Sequence, residues 1–138
     1  MIENREELHK ELSSLDERRK IINNKIEALE FEERYAEIKQ YEGKYFKEIN
    51  QHFKENVVCA FIYSIDKESL TSYFLEVNYW TNSKNHFNID DKSNFRFKKW
   101  DDENQDAWIE ITKEEYMRHY EYVQKSISEA INKKINHL

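Results

Sequence analysis

The chain has 138 residues, of which 36% are charged and 38% hydrophobic, with a single glycine and no proline. This length favours one domain with a modest core. One glycine excludes the glycine-rich loops that bind phosphates or dinucleotides, and aromatic residues at 14% are too frequent for a disordered acidic chain. The formal net charge of −6 provides no strongly basic field for nucleic acid or an anionic membrane.

The sequence predicts a cytoplasmic protein without a membrane partner. The N-terminus is charged where a signal peptide requires an apolar run, and no apolar stretch approaches the ~20 residues of a membrane span. The one cysteine, Cys59, cannot form an internal disulfide, which is typical of reducing compartments.

Residues 1–42 are predicted to form one coiled-coil helix that mediates oligomerisation. Apolar residues recur at the 4-3 spacing of a heptad repeat, and an arginine occupies the one interrupted position. The predicted oligomer seam consists of Leu8, Leu12, Leu15, Arg19, Ile22, Ile26 and Leu29. Asn4 provides an N-cap, and Gly43 lies where a left-handed residue would end the helix. A helix of roughly 57 Å overruns a domain of this size, so part of the seam requires a partner.

A second apolar stripe, Phe31, Tyr35 and Ile38, lies on a different face of this helix. We expect this stripe to dock on the rest of the chain while the seam meets another helix. Two arrangements of the seam remain open at this point. It pairs with a second chain, or it folds back onto the C-terminal helix of the same chain.

Residues 43–138 are predicted to form a compact β domain that ends in a helix. Period-two alternation predicts strands at 44–49, 57–65, 71–80, 87–89, 95–99 and 107–111. Polar turns between them, including Asp90–Ser93, favour an antiparallel meander that is open or curled into a small barrel. The residues expected to share one face of the second strand are Val57, Cys59, Phe61, Tyr63 and Ile65.

The final helix begins with a specific signal. Thr112 and Glu115 have the spacing of a capping box, and Ile111 and Tyr116 are placed to form the hydrophobic staple. Apolar residues then continue at helical spacing to Ile131. The predicted fold class is α+β: a long N-terminal coiled-coil helix, an antiparallel sheet of five to six strands or a small barrel, and a C-terminal amphipathic helix.

No group of residues has the spacing of a catalytic or metal site. The five histidines show no paired ligand spacing, and Glu115 with His119, one turn apart, is expected on a solvated helix face. Cys59 lies in an apolar strand and is expected to be buried rather than nucleophilic. Acidic clusters at 90–91 and 101–106 fit turns better than a calcium loop. The sequence therefore predicts a protein that is not an enzyme, with no cofactor and no metal.

A basic and aromatic stretch at 95–100 is the main candidate binding surface of the β domain. Its alternating residues, with a similar pair after the glycine, give a surface formed by Arg96, Lys98, Trp100, Lys44 and Tyr45. Aromatic rings stack on bases and cations neutralise phosphates, so this surface suits single-stranded nucleic acid. The acidic residues at 101–106 would repel phosphates, and a lysine-protected edge strand is the ordinary alternative.

Three stretches together resemble a known class of small proteins: Gly43–Lys47 opening the sheet, the aromatic strands, and Trp108–Tyr116 entering the last helix. Over residues 41–120 the chain is similar to small accessory proteins encoded by bacteriophages and mobile elements of AT-rich bacteria. Those proteins often carry a coiled coil before a compact aromatic β domain. The resemblance implies a host-takeover or anti-defence role exerted by binding, and it provides no catalytic or binding residues.

The leading hypothesis is a non-enzymatic protein that forms a dimer or higher oligomer and binds another protein. Two alternatives remain open. The β domain binds single-stranded nucleic acid, or it sequesters a small ligand such as a nucleotide inside a barrel. The sequence identifies neither the partner nor the stoichiometry.

Overall fold

The computed structural model describes residues 4–49, 53–83, 85–96 and 107–137. They form a long N-terminal helix, a five-stranded antiparallel sheet and a C-terminal helix, which confirms the α+β class. The sheet is open and not closed into a barrel, so the described residues contain no barrel interior for a ligand. The chain divides into two compact units, Met1–Ile38 and Lys39–Leu138.

Helix α1 spans Arg5–Lys39 and begins at Asn4, whose Oδ1 accepts a hydrogen bond from the Glu6 N–H at 3.0 Å. This cap satisfies one of the backbone donors that a helix start leaves unpaired. The helix ends four residues before Gly43, so the glycine does not terminate it as predicted. Gly43 lies in the following turn with φ +83°, and its N–H donates to the Ile62 carbonyl at 2.7 Å.

The sheet joins strands from the whole of the second unit. Its strands are β1 (Tyr45–Ile49), β2 (Asn56–Asp66), β3 (Thr71–Trp80), β4 (Phe87–Ser93) and β5 (Ala107–Ile111). They lie in the order β4-β3-β2-β1-β5, and every neighbouring pair is antiparallel. The first four form the predicted meander, but β5 returns to pair with β1. Strands β4 and β5 therefore form the two edges of the sheet.

Strand β4 is longer than the sequence predicted, because Asp90–Ser93 belongs to the strand and not to a turn. Asp90 lies opposite Glu76, and Lys92 lies opposite Phe74 in the β3–β4 ladder. The Lys92 ammonium is 2.9 Å from the Glu76 carboxylate. Charged side chains of this kind are common on edge strands because they oppose edge-to-edge pairing.

Strand β2 contains a bulge between Ile62 and Ser64 that changes the face of its last residues. Strict alternation predicted Ile62 and Ile65 on opposite faces. Ile62 pairs with Phe74 and Ile65 pairs with Ser72, two residues away, so the extra residue brings both isoleucines to one face. Both are buried there, and the predicted face of Ile65 is wrong.

Helix α2 spans Lys113–Asn136 and packs on one face of the sheet. Thr112 caps it as predicted, because its hydroxyl accepts a hydrogen bond from the Glu115 N–H at 3.1 Å. The Tyr116 hydroxyl donates to the Leu75 carbonyl at 2.9 Å, which ties the first turn of the helix to β3. The core between the helix and the sheet consists of Val57, Cys59, Val77, Ile111, Tyr116 and Val123.

The other face of the sheet carries an aromatic cluster around the buried Phe95. The Phe95 ring centroid lies 5.1 Å from that of Phe74, 5.7 Å from that of Phe46 and 4.8 Å from that of Trp108. Its N–H donates to the Ser72 hydroxyl at 2.8 Å. Phe95 was predicted to open a strand, but it lies outside every described strand, and residues 97–99 lie outside the described residues. Phe95 is therefore a core residue that the β4–β5 connection supplies.

Candidate interaction surfaces

Helix α1 presents the predicted seam to solvent along its whole length, since none of its residues is buried. The six apolar seam residues each keep between 42% and 64% of their surface accessible. They are Leu8, Leu12, Leu15, Ile22, Ile26 and Leu29, and Arg19 in the remaining position is exposed as well. Apart from Arg19, the seam is thus an exposed apolar stripe, a feature typical of surfaces through which proteins associate.

The second stripe of α1 lies on the side of the helix away from the seam. Phe31, Tyr35 and Ile38 are the partly buried residues of this helix, and its other residues are exposed. Successive residues turn by 100° in an α-helix, so Phe31 points about 160° away from Leu29. The seam therefore does not share its face with the partly buried residues.

The charged side chains of α1 are grouped along the helix. Residues 18–25 contain four basic side chains and no acidic one. Residues 6–17 contain five acidic side chains and one lysine, and residues 27–37 contain five glutamates and one arginine. A basic middle between two acidic segments restricts how two copies of this helix can be aligned, because like charges facing each other are unfavourable.

The structure describes three of the five residues of the predicted basic surface. Arg96 is exposed after the Phe95 cluster, whereas Lys98 and Trp100 lie outside the described residues. Tyr45 is partly buried on the α2 side of the sheet, with its ring 4.5 Å from that of Phe61. The Lys44 ammonium lies 3.8 Å from the Glu110 carboxylate. Tyr45 and Phe95 therefore pack on opposite faces of the sheet.

A groove that the sequence did not predict runs between the C-terminal half of α2 and the β3–β4 hairpin. It has a volume of about 380 Å³, and its walls include Trp80, Phe87 and Tyr122. His86 and Lys133 add polar groups to the rim. A further depression of about 590 Å³ adjoins it along α2, at Phe87 and the apolar residues Ile127 and Ile131. Helix, strand and turn form this surface together, so no local spacing signals it.

His119 is half-buried between α2 and the sheet and does not lie on a solvated face as predicted. Its Nδ1 is 2.8 Å from the Tyr79 hydroxyl. Burial lowers the pKa of His119, and the positive charge of Lys47 acts in the same direction. Burial also raises the pKa of the Tyr79 hydroxyl. Both groups are therefore neutral at pH 7, and their hydrogen bond attaches α2 to β3.

Cys59 is completely buried, as the sequence predicted. Burial raises the pKa of its thiol to about 12, so the thiolate that acts as a nucleophile is not populated near neutral pH. Among the residues that the structure describes, no three His, Cys, Asp or Glu side chains are grouped so that they could hold a metal ion. Neither of the two described helices has an apolar stretch long enough to cross a membrane.

Comparison of the chain with protein-family models, with curated proteins and with solved structures gives no match.

Proposed function

We propose that this chain is a non-enzymatic interaction protein, of the phage-type accessory kind, that self-associates through the α1 seam and binds a protein target with its second unit. The exposed seam is the observation that supports this proposal. Full burial of a Leu or Ile side chain is favourable by roughly 1.5–3 kcal/mol of free energy. A second copy brings an identical stripe, and heptad spacing keeps two such stripes in contact over several turns.

We assign the target-binding surface to the groove beside α2. Trp80, Phe87 and Tyr122 line it, and Tyr122 keeps 53% of its surface accessible. Aromatic residues are enriched at the centres of protein interfaces, where rigid rings bury a large area at low entropic cost. Self-association then duplicates this surface, so two modest contacts combine into a stronger one. We place this activity in the cytoplasm, where the free thiol of Cys59 is stable.

Two adjacent isoleucines on α1 provide a matched test of self-association. Ile22 belongs to the seam and Ile21 lies off it, yet their exposures are nearly equal at 53% and 55%. Ile22→Asp is expected to weaken the dimer by roughly a hundredfold or more, because it puts an unpaired carboxylate into an apolar interface. Ile21→Asp is expected to change the affinity by roughly threefold at most, as an exposed substitution does. Sedimentation equilibrium at micromolar concentration measures both.

Tryptophan fluorescence of the second unit serves as the control, because it should be unchanged in both variants. A wild-type chain that sediments as a monomer at micromolar concentration would overturn the proposal. Equal losses in the two variants would mean that aspartate weakens the helix itself rather than a specific interface.

A further inference from the structure

We propose that two copies of α1 pair antiparallel, with the twofold axis near Glu17, and not parallel and in register. This pairing rests on the self-association proposed above and specifies its geometry. The occupant of the seam is then a second copy of this chain in one defined register. Charge complementarity in and beside the seam distinguishes this alignment from the others.

The residues that flank the seam carry different charges on its two sides. One side has Glu11, Arg18 and Lys25, which directly precede seam positions. The other side has His9, Asp16, Asn23 and Glu30, which directly follow seam positions. All seven are exposed. The direction of the second helix determines which of them meet across the interface.

A parallel, in-register pair concentrates like charges. Every seam residue then faces itself, so Arg19 meets Arg19 of the partner subunit within the apolar stripe. Arg18 of the partner subunit lies beside this pair and adds a further positive charge. Glu11 faces Asp16 of the partner subunit, and this repulsion occurs twice. Lys25 faces Glu30 of the partner subunit in two attractions, but these lie away from the central arginine pair. Like charges enclosed by apolar side chains are costly because they lose solvation and screening.

An antiparallel pair with its axis near Glu17 pairs four of the six apolar seam residues with one another, while Leu15 faces Arg19 of the partner subunit and Leu29 faces Arg5 of the partner subunit. Leu8 then packs against Ile26 of the partner subunit, and Leu12 packs against Ile22 of the partner subunit. Each contact occurs twice because of the twofold axis. Four apolar layers therefore enclose the centre of the interface.

The same alignment brings opposite charges together. Arg19 faces Leu15 of the partner subunit and lies beside Asp16 of the partner subunit, one residue further along that helix. Glu11 faces Lys25 of the partner subunit, again twice. The axis leaves the two Arg18 side chains facing each other on one side. On the other side it leaves the two Asp16 carboxylates facing each other, where both Arg19 guanidinium groups are also located.

Other antiparallel registers lose one of these advantages. A shift by one heptad brings Glu11 to Glu32 of the partner subunit and Arg18 to Lys25 of the partner subunit, both like-charged. A shift by two heptads sets Leu15 opposite Glu33 of the partner subunit. It also leaves Leu8 without a seam partner. The register centred near Glu17 combines apolar contacts with opposite charges.

This geometry separates the points at which the two chains leave the paired helices. Helix α1 continues to Lys39, so its two C-terminal ends lie roughly 65 Å apart at opposite ends of the dimer. A parallel pair would bring the same two ends side by side. The antiparallel dimer is therefore suited to bridging two separate target molecules.

Disulfide cross-linking of the full chain tests the alignment. Cys59 is completely buried and is therefore kept in every variant, and the wild-type chain is the negative control. A mixture of the variants Leu12→Cys and Ile22→Cys, left to exchange subunits and then mildly oxidised, is expected to give a cross-linked dimer. Each variant oxidised alone is expected to give none, because the two thiols are then too far apart. Leu12→Cys mixed with Leu29→Cys represents the register shifted by one heptad and should not cross-link.

Each other outcome overturns a defined part of the proposal. Cross-linking of each single variant with itself would show a parallel dimer and leave self-association intact. Cross-linking of Leu12→Cys with Leu29→Cys would overturn the position of the axis, and a dimer that cross-links in none of these mixtures would overturn the alignment. A monomer in sedimentation equilibrium would overturn self-association itself.

Reversing the charge of Glu11 provides an independent test. The expected change in dimer affinity has opposite signs for antiparallel and parallel pairing. In the antiparallel dimer Glu11→Lys turns two attractions into two repulsions and is expected to weaken association roughly tenfold at low salt. Adding Lys25→Glu to that variant should restore the affinity. In a parallel dimer Glu11→Lys would face Asp16 of the partner subunit and strengthen association. A tighter Glu11→Lys dimer would therefore overturn the antiparallel alignment.

Discussion

The packing of α2 on the sheet depends on pH, because His119 makes a half-buried hydrogen bond with Tyr79. Its Nδ1 lies 2.8 Å from the Tyr79 hydroxyl, and burial lowers the pKa of the imidazole below its ordinary value. The unfolded chain, with the higher histidine pKa, therefore takes up a proton first as the pH falls. Proton uptake by the unfolded state lowers the free energy of unfolding, so stability decreases on acidification.

We expect the free energy of unfolding to fall as the pH drops through about 6.5, the usual pKa of histidine. His119→Gln keeps a hydrogen-bonding side chain but removes the titration, so this variant should show a shallower pH dependence. Urea denaturation at several pH values between neutral and mildly acidic measures the difference. His9→Gln on the exposed surface of α1 is the control and should behave like the wild type. Identical pH dependence in the His119 and His9 variants would contradict the assignment.

The turn that precedes β1 contains one residue in a left-handed backbone conformation. Gly43 has φ +83°, and its N–H donates to the Ile62 carbonyl of β2. No heavy atom lies within 4 Å of the position that a Cβ would occupy. Only the backbone conformation opposes a side chain there, because L-residues rarely adopt a left-handed φ.

Gly43→Ala is expected to lower the free energy of unfolding of the second unit by about 1–2 kcal/mol, the cost of a left-handed alanine. Gly43→Asn should lose less, since asparagine tolerates this conformation better. Urea unfolding followed by tryptophan fluorescence measures both variants. An alanine variant as stable as the wild type would show that the turn can adopt a different backbone path.

Periodicity in the sequence detected the elements whose side chains meet a core. Alternation between apolar and polar residues reflects burial, so the strand at Ala107–Ile111 and the cap at Thr112 could be located correctly. The end of β4 could not, because Asp90–Ser93 faces solvent on an edge strand and has the composition of a turn. The bulge after Ile62 also left no sequence signal, since one inserted residue breaks alternation without changing composition.

The candidate interaction surfaces also differ in how far the sequence alone could reveal them. The predicted seam lies within one helix, so spacing alone selected its members, and all of them are exposed. The groove beside α2 depends on Trp80 and Tyr122, which come from separate elements and meet only through packing of the helix on the sheet. The predicted basic surface required the Tyr45 side chain to point outward, whereas its ring stacks on Phe61 and packs against the core.

At the scale of the whole molecule, the two units differ in what stabilises them. The second unit has buried side chains on both faces of its sheet, whereas α1 contains no buried residue. An isolated helix is marginal in water because charged pairs along it contribute only ~0.2–0.5 kcal/mol each. The stability of α1 should therefore depend on association, and that of the second unit on its own core.

We expect two thermal transitions that respond differently to protein concentration. A tenfold increase in concentration should raise the midpoint of helix loss by roughly 5–10 °C, because association stabilises only the paired form. All three tryptophans belong to the second unit, so the fluorescence transition should keep its midpoint. Circular dichroism at 222 nm and tryptophan fluorescence, recorded on the same samples, separate the two. A single transition that is independent of concentration would contradict this division.

Because β1 lies inside the sheet, the order of synthesis leaves the fold incomplete until β5 and α2 have been made. The meander β1–β4 leaves the ribosome before β5 and α2, which follow residue 106. Until then Val57, Cys59 and Val77 lack the helix that buries them, and β1 has an unpaired edge. A nascent chain stopped at this stage exposes apolar surface and strand edge together, which makes it a substrate for chaperones and proteases.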